Sequence, residues 1–100
     1  MDLGELTELL RRQAARNVKL GYKVKFVFDD GGIIFWDGTV NPAVITNDDG
    51  EAETTLRLSL VNLQKMMLGD LEPTLAYMTG KLKIEGSLGV AMKISGYVSD

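Results

Sequence analysis

The stretch Leu75-Ala76-Tyr77-Met78-Thr79-Gly80-Lys81-Leu82-Lys83-Ile84-Glu85-Gly86-Ser87 changes its period part-way along. Pro73, just ahead of it, suits the first turn of a short helix that carries Leu75 and Met78 and stops at Gly80. Lys81 to Glu85 then alternates polar with apolar, placing Leu82 and Ile84 on one side, which is the period of a strand. Gly86-Ser87 ends that strand and offers a helix cap, and Leu88, Ala91 and Met92 begin a last helix.

Upstream, Leu56, Leu58 and Leu60 face one way and Thr55, Arg57 and Ser59 the other, so this segment predicts a half-buried strand. Ser59 can cap a helix carrying Leu63, Met66 and Met67 that ends near Gly69. At the N-terminus, Asp2 with Glu5 reads as a capping-box variant, and Leu3, Leu6, Leu9 and Leu10 recur at helical spacing through Arg16. Glu8 and Arg12 are i,i+4 neighbours on that helix. Tyr22, Val24, Phe26 and Phe28 then share one face of a strand, Asp29-Asp30-Gly31-Gly32 supplies a turn, and Ile33-Ile34-Phe35-Trp36 returns. Ala43 to Thr46 predicts a third, short strand at an edge, after the interruptions at Asp37-Gly38 and Asn41-Pro42.

One hundred residues without repeats, low-complexity tracts or a linker predict a single domain spanning residues 1–100. Hydrophobic residues make up 45% of the chain, which is compatible with a lined cavity. Eleven basic against 14 acidic residues lack the clustered positive charge that nucleic acid requires. With no cysteine and no histidine, disulfides, thiolate chemistry, the commonest zinc ligand and the commonest general base are all missing. No basic leader and no long apolar run stands in the sequence, so a cytoplasmic protein is the expectation.

Asp29, Asp30, Asp37, Asp48 and Asp49 are carboxylates of the kind hard cations use, but hairpin turns require such residues anyway and no twelve-residue calcium loop is present, so no metal or other cofactor is expected. Ser59, Ser87 and Thr79 lack a histidine base and read as caps or surface hydroxyls, and Lys81 and Lys83 should point out of the sheet. An enzyme is therefore not expected. More informative is the grouping of Leu63, Met66, Met67, Leu75 and Met78 in adjacent short helices, with Met92 close behind. Methionine adapts to variable apolar shapes, although stripes at helical spacing also mark ordinary core.

The segment from Leu75 to Ser87 resembles the sterol carrier protein family, with its short helix, Gly-Lys-Leu-Lys-Ile strand, and glycine before the last helix. Thr55 to Ser59, leading into Leu63 to Gly69, is similar to the family's fourth strand and following helix, and the Phe26-to-Asp37 hairpin and leading helix also fit. The resemblance implies an α+β domain: a mixed five-stranded sheet covered on one face by helices, with an apolar tunnel between the layers. It implies non-catalytic binding and transfer of fatty acid, fatty acyl-CoA, sterol or a similar lipid, without the peroxisomal Ser-Lys-Leu tail of well-known members. The expected lining combines Phe26, Phe28, Leu58, Leu82 and Ile84 of the sheet with Leu63, Met66, Met67, Leu75, Met78, Leu88 and Met92 of the helices.

A dozen methylenes at ~0.8 kcal/mol each give roughly 10 kcal/mol gross, against an association cost of about 4–15 kcal/mol, so micromolar affinity is within reach. Two other functions use the same fold: an interaction or dimerisation module, and an accessory domain presenting an apolar substrate to a separate enzyme. The Asp29–Gly32 turn reads as two or four residues long, and a one-residue shift would exchange the faces of Phe35 and Trp36. The expectation is Phe35 inward and Trp36 on the face away from the helices. Trp36 with Val27 would then form an apolar patch suited to transient membrane contact or to a homodimer.

Overall fold

The computed structural model describes residues 1–16 and 19–99. Its order is α1 (Leu3–Arg16), β1 (Lys23–Phe28), β2 (Ile33–Asp37), β3 (Val44–Thr46), β4 (Thr54–Leu58), α2 (Leu60–Met67), α3 (Pro73–Met78), β5 (Lys83–Gly86) and α4 (Leu88–Val98). The strands form one sheet in the order β3-β2-β1-β4-β5, with β1 and β4 parallel and every other pair antiparallel. This is the mixed five-stranded α+β fold that the sequence predicts.

Helix α1 begins with a reciprocal capping box: the Glu5 N–H donates to the Asp2 carboxylate at 2.8 Å, and the Asp2 N–H to the Glu5 carboxylate at 3.2 Å. Leu6, Leu10 and Ala14 turn into the core. Glu8 pairs with Arg11 rather than with the expected Arg12. The Arg11 guanidinium also donates to the Ile45 carbonyl at 2.9 and 3.2 Å, so its planar fork serves two acceptors and ties α1 to β3.

The first hairpin corrects the placement of Trp36. The Gly31 N–H donates to the Phe28 carbonyl and the Phe28 N–H to the Gly32 carbonyl, both at 3.1 Å. The loop is therefore Asp29-Asp30-Gly31, with Gly31 at φ +102° as the left-handed bulge residue that a three-residue loop needs. An odd loop shifts the register by one relative to a turn of two or four residues. Val24 now faces Trp36 and Phe26 faces Ile34, so Trp36 points to the helices and is 1% exposed, while Phe35 takes the other face. The Trp36 and Val27 patch does not exist, and the motive it gave for a homodimer goes with it. The indole Nε1 of Trp36 has no acceptor among the described residues.

The inward face carries Val24, Phe26, Phe28, Ile34, Trp36, Ile45, Leu56 and Leu58, all buried beneath the helices. The opposite face is crossed by the connection between β3 and β4. Lys25 there binds the Asp49 carboxylate at 2.8 Å and the Gly50 carbonyl at 3.1 Å, and Gly50 passes so close to the Phe35 ring that a Cβ would sit 3.0 Å from it. At the other edge, Gly86 has φ +96° and lies against the Glu53 carbonyl, where a Cβ would come within 2.3 Å. Only glycine closes β5 onto β4 there.

Trp36→Ala is expected to lower the unfolding free energy by about 3–5 kcal/mol, read as a lower denaturant midpoint at unchanged slope. Phe35→Ala, on the loop-covered face, is expected to cost clearly less in the same measurement.

Candidate functional site

The residues expected to line a lipid cavity fall into two groups. Phe26 and Phe28 on β1 and Leu58 on β4 point inward because the strands alternate, and Leu82 enters the same layer just before β5. The Ser59 side chain caps α2 by accepting from the Asn62 N–H at 3.0 Å, and Leu63, Met66 and Met67, at i, i+3 and i+4, turn into the core. These seven side chains are at most 5% exposed and belong to one continuous core. These seven side chains thus pack against one another between sheet and helices.

The second group lies at the border of that layer. Leu75, Met78 and Leu88 are exposed, and Ile84 and Met92 are half-buried. Helix α3 buries one residue, Ala76, and is otherwise held by its ends. The Glu72 carboxylate caps it, accepting from the Thr74 and Leu75 N–H groups at 3.2 and 2.8 Å. The Ala76 carbonyl accepts from the N–H groups of Lys81 and Leu82 at 2.9 and 3.1 Å, turning the chain into β5. The Thr74 hydroxyl lies 3.9 Å from the Met92 sulfur, which places α3 beside α4, and Leu88 is one turn before Met92. Leu75, Met78, Ile84, Leu88 and Met92 therefore form an apolar rim at the β5 end of the buried layer.

Sequence reasoning did not single out Ala76, Leu71, Ile94 or Val98, which are also buried in the core. The i, i+3, i+7 spacing of Ala91, Ile94 and Val98 was the available signal. Two surface hollows lie elsewhere. One of about 370 Å³ runs along α1 and is lined by Met1, Gly4, Glu5, Glu8, Leu9 and Arg12, and one of about 290 Å³ is lined by Lys23, Glu51, Ala52 and Glu53. Neither includes an expected lining residue.

The polar candidates have local tasks. Ser87 caps α4 by accepting from the Val90 N–H at 3.2 Å, and the Thr79 hydroxyl donates to the Leu75 carbonyl at 2.8 Å. Asp30 accepts from the Leu60 N–H at 3.2 Å. Asp37 is held below the usual carboxylate range chiefly by the Thr39 hydroxyl, with burial opposing. Asp49 is lowered chiefly by its bond from Lys25. Glu72 is lowered chiefly by the Leu75 N–H and then by the Thr74 N–H.

The model of the SCP-2 sterol transfer family matches residues 6–99. The chain is 29% identical over 87 residues to the hydroxysteroid dehydrogenase-like protein 2 of Rattus norvegicus, covering 85% of this chain and 17% of that protein. It is 38% identical over 52 residues to the sterol carrier protein 2 of Bos taurus, covering 52% of this chain and 10% of that one. The chain thus spans less than a fifth of either relative. The solution structure of palmitated SCP2L2 from Aedes aegypti superimposes with a TM-score of 0.73 at 14% identity, covering 100% of this chain and 96% of that one. Among the described residues no helix is long and apolar enough to cross a membrane.

Two outcomes check this division of the site. Met66→Ala is expected to cost about 2–5 kcal/mol of stability and Met78→Ala to stay within about 0.5 kcal/mol, compared by urea unfolding. Because the Glu72 carboxyl is lowered in the folded state, its contribution is full above the ordinary glutamate value and is lost as the pH falls through the lower folded one. Acidification through that window is expected to reduce hydrogen-exchange protection of α3, corrected for intrinsic rates, before that of β1 or β4. Glu72→Gln should remove most of this pH dependence.

Proposed function

Since the chain belongs to the SCP-2 sterol transfer family, we propose that it binds a long apolar lipid, without catalysis, in the layer between sheet and helices, and releases it to an acceptor. The observation that carries this reading is α3 itself. It covers the β5 end of the apolar layer with a single buried side chain, Ala76, while Leu75 and Met78 stand in solvent. A ligand entering there displaces little packing. It meets Ile84, Leu88 and Met92 first, and Leu82, Met66, Met67, Leu63, Leu58, Phe28 and Phe26 further in.

Methionine side chains can reshape around a guest without a rotamer penalty as severe as that of branched residues. No charged side chain is among the lining residues, so selectivity for a head group is expected to be low. The palmitated state named for SCP2L2 supports the ligand class. A second reading has its own support: the chain matches a small part of a much longer hydroxysteroid dehydrogenase-like protein. There such a domain would hold an apolar substrate for a separate catalytic unit, by the same binding event.

The test is displacement of a fluorescent fatty acid, with native mass spectrometry of mildly purified protein for retained lipid. Long-chain fatty acid is expected to bind at about micromolar dissociation constant. Met92→Lys is expected to weaken it by about tenfold or more, since an unpaired charge beside an acyl chain must be desolvated. A thermal melt shows that the variant is folded. Failure of fatty acid, acyl-CoA, sterol and phospholipid alike to displace the probe overturns the proposal.

A further inference from the structure

The two edges of the sheet differ in how their backbone is covered. At one edge, the Arg11 guanidinium donates twice to the Ile45 carbonyl of β3. At the other, β5 has no strand beyond it. The Asp29 N–H donates to the Leu58 carbonyl, so in the parallel register Leu58, Leu56 and Thr54 turn their peptide groups to β1, while Thr55 and Arg57 turn theirs to β5. Glu85 and Lys83, opposite Thr55 and Arg57, therefore carry the ladder to β4, and the N–H and C=O of Ile84 between them point out of the sheet edge. Among the described residues no hydrogen bond outside that ladder reaches either group.

A bare edge of this kind accepts a further strand unless its side chains forbid it. On the sheet face away from the helices, Lys83 stands opposite Arg57, a like charge, and has no ion pair among the described residues. Glu85 reaches diagonally to Arg57. The run Lys83-Ile84-Glu85 is complementary in charge to its own reverse. An antiparallel copy centred on Ile84 sets each Lys83 opposite Glu85 of the second copy, and the outward N–H and C=O of Ile84 exchange two hydrogen bonds with their equivalents. A parallel copy sets lysine against lysine and glutamate against glutamate, which is unfavourable. A strand from another protein would have to carry the same acid and base in reverse order, whereas this chain already does.

The helix side of the same edge supplies apolar area. Ile84 is half-buried there, and Met78 and Leu88, 75% and 46% exposed, precede and follow the strand. Four residues of strand alone fall short of the roughly 1,200–2,000 Å² that a stable interface buries, and the two apolar rims meet beside it.

We propose that β5 is the contact strand of a homodimer with two-fold symmetry, in which two copies join antiparallel about Ile84 into one continuous sheet. The pairing goes beyond the lipid-binding reading and does not depend on it.

Sedimentation of the full chain from about 1 μM to about 1 mM tests this. The parent is expected to pass from monomer to dimer as concentration rises, and hydrogen exchange of the Ile84 amide to slow in step. Lys83→Glu and Glu85→Lys, each alone, set like charges opposite one another and are expected to raise the dimer dissociation constant by about tenfold or more. Mixed in equal amounts, the two variants regain opposite charges at both positions and are expected to associate at least about tenfold more tightly than either does with itself. Thermal melts show that each variant is folded. A parent that stays monomeric throughout, a dimer that withstands both single substitutions, or two variants that fail to associate on mixing overturns the pairing. A dimer whose Ile84 amide gains no protection has its contact elsewhere and overturns it equally.

Discussion

The parallel pairing of β1 with β4 holds the molecule together. Every other strand contact is antiparallel, whereas Val24 meets Thr54, thirty positions further along the chain. That pairing joins an N-terminal half of one helix and three strands to a C-terminal half of two strands and three helices. Glu53 locks its start: its N–H donates to the Lys23 carbonyl at 3.0 Å and its carboxylate accepts from the Lys23 N–H at 2.6 Å. Neither half alone presents a sheet face wide enough to cover its helices. Together they give the apolar face on which α1 and α4 rest, with α2 packed against both helices.

Much of this was legible because alternation and capping are local. The strands around Phe26 and Leu56, the caps at Asp2, Ser59 and Ser87, and the stops at Gly69 and Gly80 follow from residues close to one another in the chain. The face of Trp36 was not legible, since it depends on whether the loop before it holds an even or odd number of residues. Two consecutive glycines, Gly31 and Gly32, leave that choice to the bulge. The pairing of Glu8 with Arg11 likewise depends on where the Ile45 carbonyl lies.

The candidate site was legible in part for a related reason. In α2 and α4, spacing separates buried from exposed positions because eight and eleven residues make more than two turns. Helix α3 has six residues, too few for its period to identify a buried face. Its apolar residues therefore read as core from the sequence, whereas the fold leaves Leu75 and Met78 outside. The same shortness makes α3 the least anchored cover of the layer, so the feature that defeated the periodicity argument is the one on which the functional reading rests.

Trp36 also gives the molecule an internal optical probe. It is the only tryptophan, it is 1% exposed, and it stands on the same sheet face as Phe26 and Leu58. Its fluorescence arises from the apolar interior, with no contribution from a surface indole. The colour of that emission reports the polarity of the protein's own interior, and a change in it marks rearrangement of the layer itself, so the chain carries a gauge of its core that requires no added label.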